Sequence, residues 1–382
     1  MTPGSGRGIA GGHDAPARHR LVTRTRSRCA PERSSPFLRP LRRVTHIRFA
    51  LRLVFAVVAL GSLYAEPARA QFKNSPYTET IPDYGTCDVT ITPSNASSTL
   101  KLINDPTERV FCVAPGDYRA FGRILLTESG TASQRRFLRL DIDDGKRNAV
   151  QRTQRALFES IVVLRANWWV VQGLTMQPHD GATTWFLTVW GGDHNVLDGN
   201  LVDGIEHVPL GTQDAVVVAG YQGDPATYNT LQGNVVRRGN QLRRPGDYEG
   251  ILIEWGSTAT EANDFNKVLD NEVYDWGSGV SVGGYTENCT EPAVQHGTVI
   301  DGNDVYITGA KRIDCNTGAL DPNGDCSCAE EGLSQKGNPG SNPRDWTRMT
   351  NNRLWGFRPT TPKFSCGGTG ANGQAIAAGN GC

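Results

Sequence analysis

The feature that most constrains the fold is a short phrase of alternating apolar and polar residues that returns along the chain. It reads HNVLDGNLVDG from residue 194, and variants of it begin at residues 228, 265, 297 and 347. The aligned copies place an Asn in a single column after Leu174 of an earlier copy: Asn200, Asn234, Asn271, Asn303 and Asn352. The copies are 26 to 49 residues apart, which indicates strands of constant length joined by loops of variable length.

A second phrase lies between copies of the first. It reads DAVVVAGY from residue 214, EGILIEWG from 249, SGVSVGGY from 278 and EGLSQKGN from 331. Each period therefore holds at least two short strands, and no stretch after residue 150 has helical periodicity over ten residues. Because one such period cannot bury its own apolar face, the periods are expected to stack as coils of an all-β solenoid. The amides of the Asn column should then hydrogen-bond between coils stacked at about 4.8 Å.

Strand alternation predicts which side chains face the centre of the solenoid. In the second phrase the inward positions are Val216, Val218, Ile251, Ile253, Val280, Val282, Leu333 and Gln335. In the first phrase we assign Val196 and Leu201 to the core. The outward positions become polar towards the C-terminus and place Glu254 and Lys336 in one column, two coils or about 10 Å apart.

Three segments resemble coils of a known family. The segment VFCVAPGDYRAFGRILLTESGTASQRRFLRL from residue 110 resembles its first coil, with an APGxY turn and an SGTA turn, and NWWVVQGLTM from 167 and NNRLWGFR from 351 are similar to later coils. The family is that of the right-handed parallel β-helix proteins of the pectin-lyase-like type, which include many secreted polysaccharide lyases. The resemblance covers about residues 108–380 and implies that fold, whereas lyases, hydrolases and binding proteins all use such coils.

The N-terminal region has the layout of a secretory signal. A basic stretch precedes an apolar run from Leu53 to Ala65, and small residues follow at Ala68 and Ala70, so we expect cleavage after Ala70. The apolar run is too short to span about 30 Å of hydrocarbon as a helix, which argues against a permanent membrane anchor. The predicted protein is therefore secreted, to the periplasm or the cell exterior.

The predicted organisation has three parts. Residues 1–70 are a disordered extension plus the signal peptide, residues 71–107 are an N-terminal lead-in, and residues 108–382 are the β-helix domain. The C-terminal end is expected to be incomplete, because GQAIAAGNGC from residue 373 resembles the start of a further strand with no closing coil after it.

The charge balance and the number of cysteines are counted for the segment after residue 70, which is the predicted mature protein. It carries 39 − 13 = 26 basic and 39 − 3 = 36 acidic side chains, and this acidic balance disfavours nucleic acid as a partner. Eight of the nine cysteines fall in it, and an even number in an exported chain favours disulfides. The cluster that ends in GDCSC, residues 324–328, leaves metal binding as the alternative.

The resemblance implies a reaction and a set of residues. In the lyases of this fold, a Lys or Arg on the outer face removes the proton beside a uronate carboxylate, and acidic side chains often hold a Ca²⁺ that neutralises that carboxylate. Lys336 is the candidate base, with Glu254 in its column, although a solvent-exposed edge lysine is the alternative reading. Arg348 is the candidate for binding the substrate carboxylate, among Arg312, Arg344 and Arg353.

An acidic column precedes the second phrase. We assign Asp214, Glu249 and Glu331 to it, with Asp275 nearby, as candidate Ca²⁺ ligands, and we expect no organic cofactor. The alternative is that these acids cap turns by accepting backbone N–H groups. Trp276, like Trp255, is either an exposed indole that stacks on a sugar or a side chain packed over the solenoid.

Three functions remain open at this point. The favoured one is an exported lyase that cleaves an acidic polysaccharide by β-elimination. The alternatives are a non-catalytic carbohydrate-binding or cell-surface solenoid and a glycoside hydrolase on the same fold. For the hydrolase, QHG from residue 295 and AKRID from residue 310 are only weak matches to the family's motifs. The sequence does not specify the sugar or the oligomeric state.

Overall fold

A computed structural model describes residues 75–142, 152–179, 185–205, 214–239, 249–254, 263–283, 296–308, 332–335 and 347–355. All of these residues belong to the unit Glu66–Cys382. The predicted extension and signal peptide lie outside the described residues, as does the C-terminal end from residue 356. The regular secondary structure of the described chain is almost all β-strand, with a short α-helix α1, Ala96–Thr99, and two 3₁₀ segments, Leu100–Asn104 and Arg119–Phe121.

The strands, numbered β1–β24 in chain order, form three sheets within the described residues. Sheet 1 contains β4 Arg123–Leu126, β7 Ser160–Leu164, β10 Trp185–Trp190, β13 Asp214–Ala219, β16 Glu249–Glu254, β19 Ser278–Val282 and β22 Leu333–Gln335. Sheet 2 contains β1 Val89–Ile91, β2 Val110–Val113, β5 Arg136–Leu140, β8 Trp169–Gln172, β11 Val196–Asp198, β14 Thr230–Gln232, β17 Lys267–Leu269, β20 Val299–Asp301 and β23 Arg348–Thr350. Sheet 3 contains β3 Gly116–Asp117, β6 Ala156–Phe158, β9 Thr175–Met176, β12 Leu201–Asp203, β15 Val235–Arg237, β18 Glu272–Tyr274, β21 Asp304–Tyr306 and β24 Arg353–Trp355.

Each strand pairs in parallel with its counterpart in the neighbouring coils. For example, Val216 of β13 is in register with Leu187 of β10 and Ile251 of β16. A coil thus visits sheets 1, 2 and 3 in turn and advances by one strand. The predicted parallel β-helix is confirmed, and sheet 2 already begins at β1, within the segment assigned as lead-in.

The interior of the solenoid is one continuous apolar core. The inward positions predicted for the second phrase are confirmed, since Val216, Val218, Ile251, Ile253, Val280, Val282 and Leu333 all lie in it. The assignment of Val196 and Leu201 to this core is wrong. Both are buried, but they belong to smaller clusters on the outer faces of sheets 2 and 3, and their neighbours Leu197 and Val202 point inwards instead.

The predicted Asn column forms a continuous ladder at the turn between sheets 2 and 3. Each side-chain oxygen accepts from the backbone N–H and side-chain amide of the Asn one coil before, at 2.8–3.1 Å, from Asn200 through to Asn352. Each amide also donates to a strand carbonyl of the preceding coil, as Asn234 does to Leu197 at 2.8 Å. Buried turn backbone is thereby satisfied without water.

The lead-in crosses the outer face of sheet 2. Glu79 and Gln232 of β14 exchange two hydrogen bonds, at 2.9 and 3.0 Å. Tyr84 packs near Val196 in the outer cluster, and Cys87 is joined to Cys112 of β2 by a disulfide. This cover explains why Val196 is buried although it faces outwards.

Candidate functional site

The outer face of sheet 1 is the surface to which the sequence assigned the chemistry. Its register confirms the alignment of the second phrase, because Leu252 of β16 pairs with Ser281 of β19, and Ser281 pairs with Ser334 of β22. Outward residues in the middle of the sheet are apolar, with Val217 and Leu252 in one cluster, and the same column becomes Ser at the C-terminal coils. The polarity of this face therefore changes along the solenoid, as the sequence predicted.

A buried pair of carboxyl groups lies at the start of the central strands of this sheet. Asp214 is 2% exposed and Glu249 is 3% exposed, and Asp214 Oδ1 accepts the backbone N–H of Glu249 at 3.0 Å. Burial holds the pKa of the Asp214 carboxyl well above its usual range, and a hydrogen bond and like-charge repulsion from the Glu249 side chain add to the rise. Asp214 therefore keeps its proton to higher pH than an exposed carboxyl would.

The residue after each acid is small for a steric reason. A Cβ at Gly250 would meet Val273 Cγ1 and the Gly279 carbonyl oxygen, and one at Gly279 would meet Val305 Cγ1. These positions thus lie where sheet 1 packs closely against sheet 3. The tight packing fixes the strand start and so the position of the Asp214 and Glu249 side chains.

Aromatic rings occupy the N-terminal half of the same face. Trp185, in register with Asp214, contacts Trp190 edge-on, with 4.7 Å between ring centroids. Trp190 in turn stacks on Tyr221 at 5.4 Å and 10°, and the guanidinium of Arg123 lies 5.9 Å from its ring. All three residues are half-buried. This aromatic platform, made of Trp185, Trp190 and Tyr221, is therefore partly accessible to a ligand.

Glu254 and Lys336 were predicted to be catalytic residues, and Glu331 was predicted to be a metal ligand. Glu254 ends β16, is half-buried, and contributes to the raised pKa of Asp214 by charge repulsion. It therefore belongs to the same electrostatic environment as the acidic pair. Lys336 and Glu331 lie outside the described residues, on either side of β22.

Arg348 and Asp275 are placed elsewhere in the molecule. Arg348 begins β23 of sheet 2 and donates to the hydroxyl of Tyr77 in the lead-in at 3.1 Å. Asp275 follows β18 of sheet 3, and its carboxylate accepts the backbone N–H and hydroxyl of Thr308 at 2.8 and 3.0 Å. The structure thus brings Asp214 and Glu249 together at the start of β13 and β16, with Glu254 at the other end of β16, and leaves Arg348 and Asp275 on other sheets.

Trp276 does not provide a sugar-stacking surface. Its side chain is 1% exposed and meets Phe186 edge-on in the core, at 6.3 Å between centroids. Of the two alternatives left open for Trp276, the exposed indole is excluded, because the ring fills the interior next to Gly239, where a Cβ would contact it. Trp255 lies outside the described residues.

The acidic column offers two of the oxygen ligands that a Ca²⁺ ion would need. Asp214 and Glu249 offer hard carboxylate oxygens, and Ser278 continues the column in register with Glu249, whereas Ca²⁺ takes 6–8 oxygens. In the described part of the chain, the group of three potential ligands within 4.8 Å of one another is Cys87, Cys112 and Asp141, and its two sulfurs form the disulfide. A cation at Asp214 would need further oxygens from water, substrate or residues outside the described ranges.

Sequence reasoning missed a charged cluster on the outer face of sheet 3. The carboxylate of Asp203 has no exposed surface and accepts from the guanidinium groups of both Arg237 and Arg238, at 2.6–3.0 Å. Burial raises the pKa of Asp203, but the two arginines outweigh it and hold that pKa below its usual range. Arg353, one of the predicted carboxylate binders, pairs with Asp304 on the same sheet. The adjacent arginines at 237 and 238 were the only sequence signal for this cluster.

Comparisons with known proteins give distant structural likeness. The crystal structure of an alginate lyase from Paenibacillus sp. str. FPU-7 is similar with a TM-score of 0.35 and 14% identity, over 70% of this chain and 96% of that chain. The crystal structure of Escherichia coli ybhc is similar with a TM-score of 0.22 and 10% identity, over 74% and 88%. No family model matches the chain, and no curated protein matches it. The class of the protein, a parallel β-helix, rests on its strand pairing.

Membrane spanning by a helix requires a long apolar segment. Among the described residues, no helix is long and apolar enough to cross a bilayer.

Proposed function

We propose that this protein is exported, binds an acidic polysaccharide along the outer face of sheet 1, and cleaves it by β-elimination. The observation that carries the proposal is the buried Asp214–Glu249 carboxyl pair on sheet 1, the sheet that also carries Glu254 and the aromatic platform. Rings that stack on sugars and acids that hold a cation or a proton are the two kinds of group that such a substrate requires.

The reaction balances with the groups assigned to this face. A base takes the proton on the carbon beside the uronate carboxylate, the electron pair forms a carbon–carbon double bond, and the glycosidic oxygen leaves and is protonated. Lys336 is the proposed base, since its position follows Gln335 at the end of β22. Asp214 and Glu249 would hold a cation, which would neutralise the carboxylate and make the adjacent proton more acidic.

Calcium is the proposed cation, held by Asp214 and Glu249. A cation would reverse the electrostatics of the pair, because a positive charge favours the ionised form of both carboxyls. Calcium should therefore raise the melting temperature of the wild-type protein near neutral pH, and 100-fold excess over Kd corresponds to about 2.7 kcal/mol. The variant Asp214→Asn should lose most of that stabilisation, and an equal rise in both proteins would remove calcium from the proposal.

A glycoside hydrolase that uses the same two acids is disfavoured by their separation. The side chains of Asp214 and Glu249 hydrogen-bond to each other, whereas the two carboxyls of such hydrolases are about 5–9.5 Å apart. A pair in direct contact leaves no room for the sugar or water between them. Binding without cleavage therefore remains the principal competitor, and the aromatic platform alone would suffice for it.

Export is supported by one covalent feature. The disulfide Cys87–Cys112 joins the lead-in to β2, with 5.7 Å between Cα atoms. Disulfides persist in oxidising compartments and are rare in the cytosol. Together with the signal-like segment that ends at Ala70, this supports the periplasm or the cell exterior as the proposed location.

The decisive assay is formation of an unsaturated product. The chain from residue 71 would be incubated with pectate, alginate and chondroitin, with Ca²⁺ or with a chelator, and ultraviolet absorbance of the new double bond followed. We expect product from at least one polymer, loss of rate by more than 100-fold in Lys336→Ala, and no loss in Lys267→Ala, a matched lysine on sheet 2. No product with retained binding would favour the non-catalytic alternative, and full activity of Lys336→Ala would overturn the assigned base.

A further inference from the structure

A column of rings lies at the corner where each coil passes from sheet 1 to sheet 2. Its members are Trp168, His194, Tyr228 and Phe265, one per coil, and all four adopt positive φ between 56° and 63°. This left-handed conformation is unfavourable for side chains of this kind. Four consecutive coils that retain a ring there indicate that contacts between the rings offset the strain.

The rings stack nearly face to face. Centroid distances are 4.1 Å from Trp168 to His194, 5.0 Å from His194 to Tyr228 and 5.1 Å from Tyr228 to Phe265, with interplanar angles of 7°, 7° and 18°. The first ring is closed off by Arg135, whose guanidinium lies 5.1 Å from the Trp168 centroid and pairs with Glu79. The stack therefore begins against a charged cap.

At the other end of the stack, the described residues of the next coil, 296–308, supply no further ring at this corner. The backbone N–H of Phe265 donates to the His296 carbonyl at 2.7 Å, so the next position in the column is Gly297, with φ of 63°. Glycine offers no side chain that could stack on the second face of Phe265, and Phe265 is 39% exposed overall. The backbone conformation of the column continues at Gly297, and the ring is missing.

An adjacent ladder stops at the same coil. Asn195, Asn229 and Asn266 each follow a ring, and the Oδ1 of Asn229 and of Asn266 accepts from the preceding Asn at 2.8–3.0 Å. The next residue in this row is Thr298, whose buried hydroxyl has no hydrogen-bond partner among the described residues. Both rows thus end between the coils of Phe265 and Gly297.

Polar side chains border the open ring face. Asp264 Oδ1 lies 2.9 Å from His296 Nδ1 and accepts the His296 backbone N–H at 2.9 Å. Both side chains remain partly exposed, at 22% and 31%. A ligand seated on Phe265 would therefore meet an apolar face below and hydrogen-bonding groups at its edge.

We propose that the open face of Phe265, above Gly297, binds one sugar ring of a polysaccharide in the place of a fifth stacked ring. The position is one coil deep, about 4.8 Å, which matches the 4.1–5.1 Å spacing of the stack. A pyranose has an apolar face of C–H groups and hydroxyls around its rim, so it suits both Phe265 and the Asp264–His296 pair. The site shares with the proposed function only the assumption that the ligand is carbohydrate.

The test uses a substitution that completes the stack. Gly297→Tyr supplies the missing ring at a φ that Tyr228 already adopts, so the variant should fold and unfold at the same or a higher temperature. Calorimetry with hexasaccharides of pectate, alginate and chondroitin should show binding to the wild type that weakens by roughly tenfold in Gly297→Tyr. Phe265→Ala should weaken it similarly, and Tyr228→Phe should not.

Hydrogen exchange then locates the contact. Saturating hexasaccharide should protect amides around residues 264–266 and 296–298 in the wild type. The proposal is overturned if no hexasaccharide binds, if Gly297→Tyr folds and binds unchanged, or if protection falls elsewhere. A failure of the proposed function is distinguishable, because absence of unsaturated product with a tenfold loss of affinity in Gly297→Tyr would leave this subsite standing.

Discussion

Two rows of stacked side chains follow the solenoid at two of its corners, and they end differently. The Asn200 ladder between sheets 2 and 3 continues through each coil from Asn200 to Asn352. The ring stack between sheets 1 and 2 stops at Phe265 and is followed by Gly297. In both rows, side chains at the same position of successive coils stack on one another. Because only one of the two rows is interrupted, such a row is not required to continue through every coil at every corner.

The physical reason for the difference lies in what each row satisfies. The Asn amides saturate buried backbone groups, and leaving one unpaired costs about 1–3 kcal/mol. Stacked rings satisfy no polar group, and each contact contributes only about 0.5–1.5 kcal/mol beyond its buried area. A gap in the Asn ladder is therefore costly, whereas a gap in the ring stack is cheap enough to serve a ligand.

The largest effect is expected from breaking the middle of the Asn ladder. Asn234→Ala removes the donor to the Leu197 carbonyl and the acceptor for the Asn200 backbone N–H, both buried. We expect a loss of about 3–5 kcal/mol in the free energy of unfolding, measured with urea. Asn352→Ala, at the half-buried end of the ladder, is the matched control and should cost less than half as much; equal losses would contradict a cooperative ladder.

The next effect concerns the interior of the ring stack. Tyr228→Ala removes a ring that has neighbours on both faces, so we expect a loss of about 2 kcal/mol. Phe265→Ala removes a ring stacked on one side and should cost about half of that. A larger loss at Phe265 than at Tyr228 would mean that another part of the chain covers the outer face of Phe265 and closes the stack.

A pH effect is expected from the acidic pair on sheet 1. The pKa of Asp214 is raised on folding, so the native state binds more protons than the unfolded chain above about pH 4, and stability falls as pH rises through the folded pKa. Asp214→Asn keeps an oxygen for the Glu249 N–H and should remove this slope. Urea unfolding from pH 4 to 8 without Ca²⁺ measures it, and parallel curves for the two proteins would contradict a raised pKa.

The smallest change in stability is expected from Arg348→Ala. Its contact with Tyr77 is exposed, so the free energy of unfolding should change by no more than about 0.5 kcal/mol. Because Arg348 lies on sheet 2, we expect the elimination rate to stay within about twofold of wild type as well. A large loss of rate without loss of stability would restore the sequence-based role of Arg348 in binding the substrate carboxylate.

Much of the fold could be predicted from the sequence because a solenoid repeats its signal. The Asn column could be identified from the residues alone, since one residue type recurs at a fixed place in the phrase. The ring stack could not, because Trp168, His194, Tyr228 and Phe265 share only aromatic character, and their contact depends on a left-handed backbone. The dipeptides HN, YN and FN were the only visible trace of that corner.

The wrong assignment of Val196 and Leu201 to the central core has one physical cause, which is that both faces of their strands are buried. Alternation identifies two faces of a strand but not which face is inside, and the lead-in covers Val196 from outside. The candidate site was predictable in its acidic column and in Glu254, because these lie in one aligned phrase. Arg348 lies in the copy of the first phrase that begins at residue 347, so the same alignment assigns it to sheet 2; its proposed role had rested on side-chain chemistry alone.

The most direct test of the difference between the two rows is the stability and the saccharide affinity of Gly297→Tyr, measured on the same preparation. If the ring stack is left open for a ligand, the variant unfolds at the same or a higher temperature and binds hexasaccharide roughly tenfold more weakly. If instead the variant gains stability and retains wild-type affinity, the gap at Gly297 has no role in binding, and the central claim is contradicted.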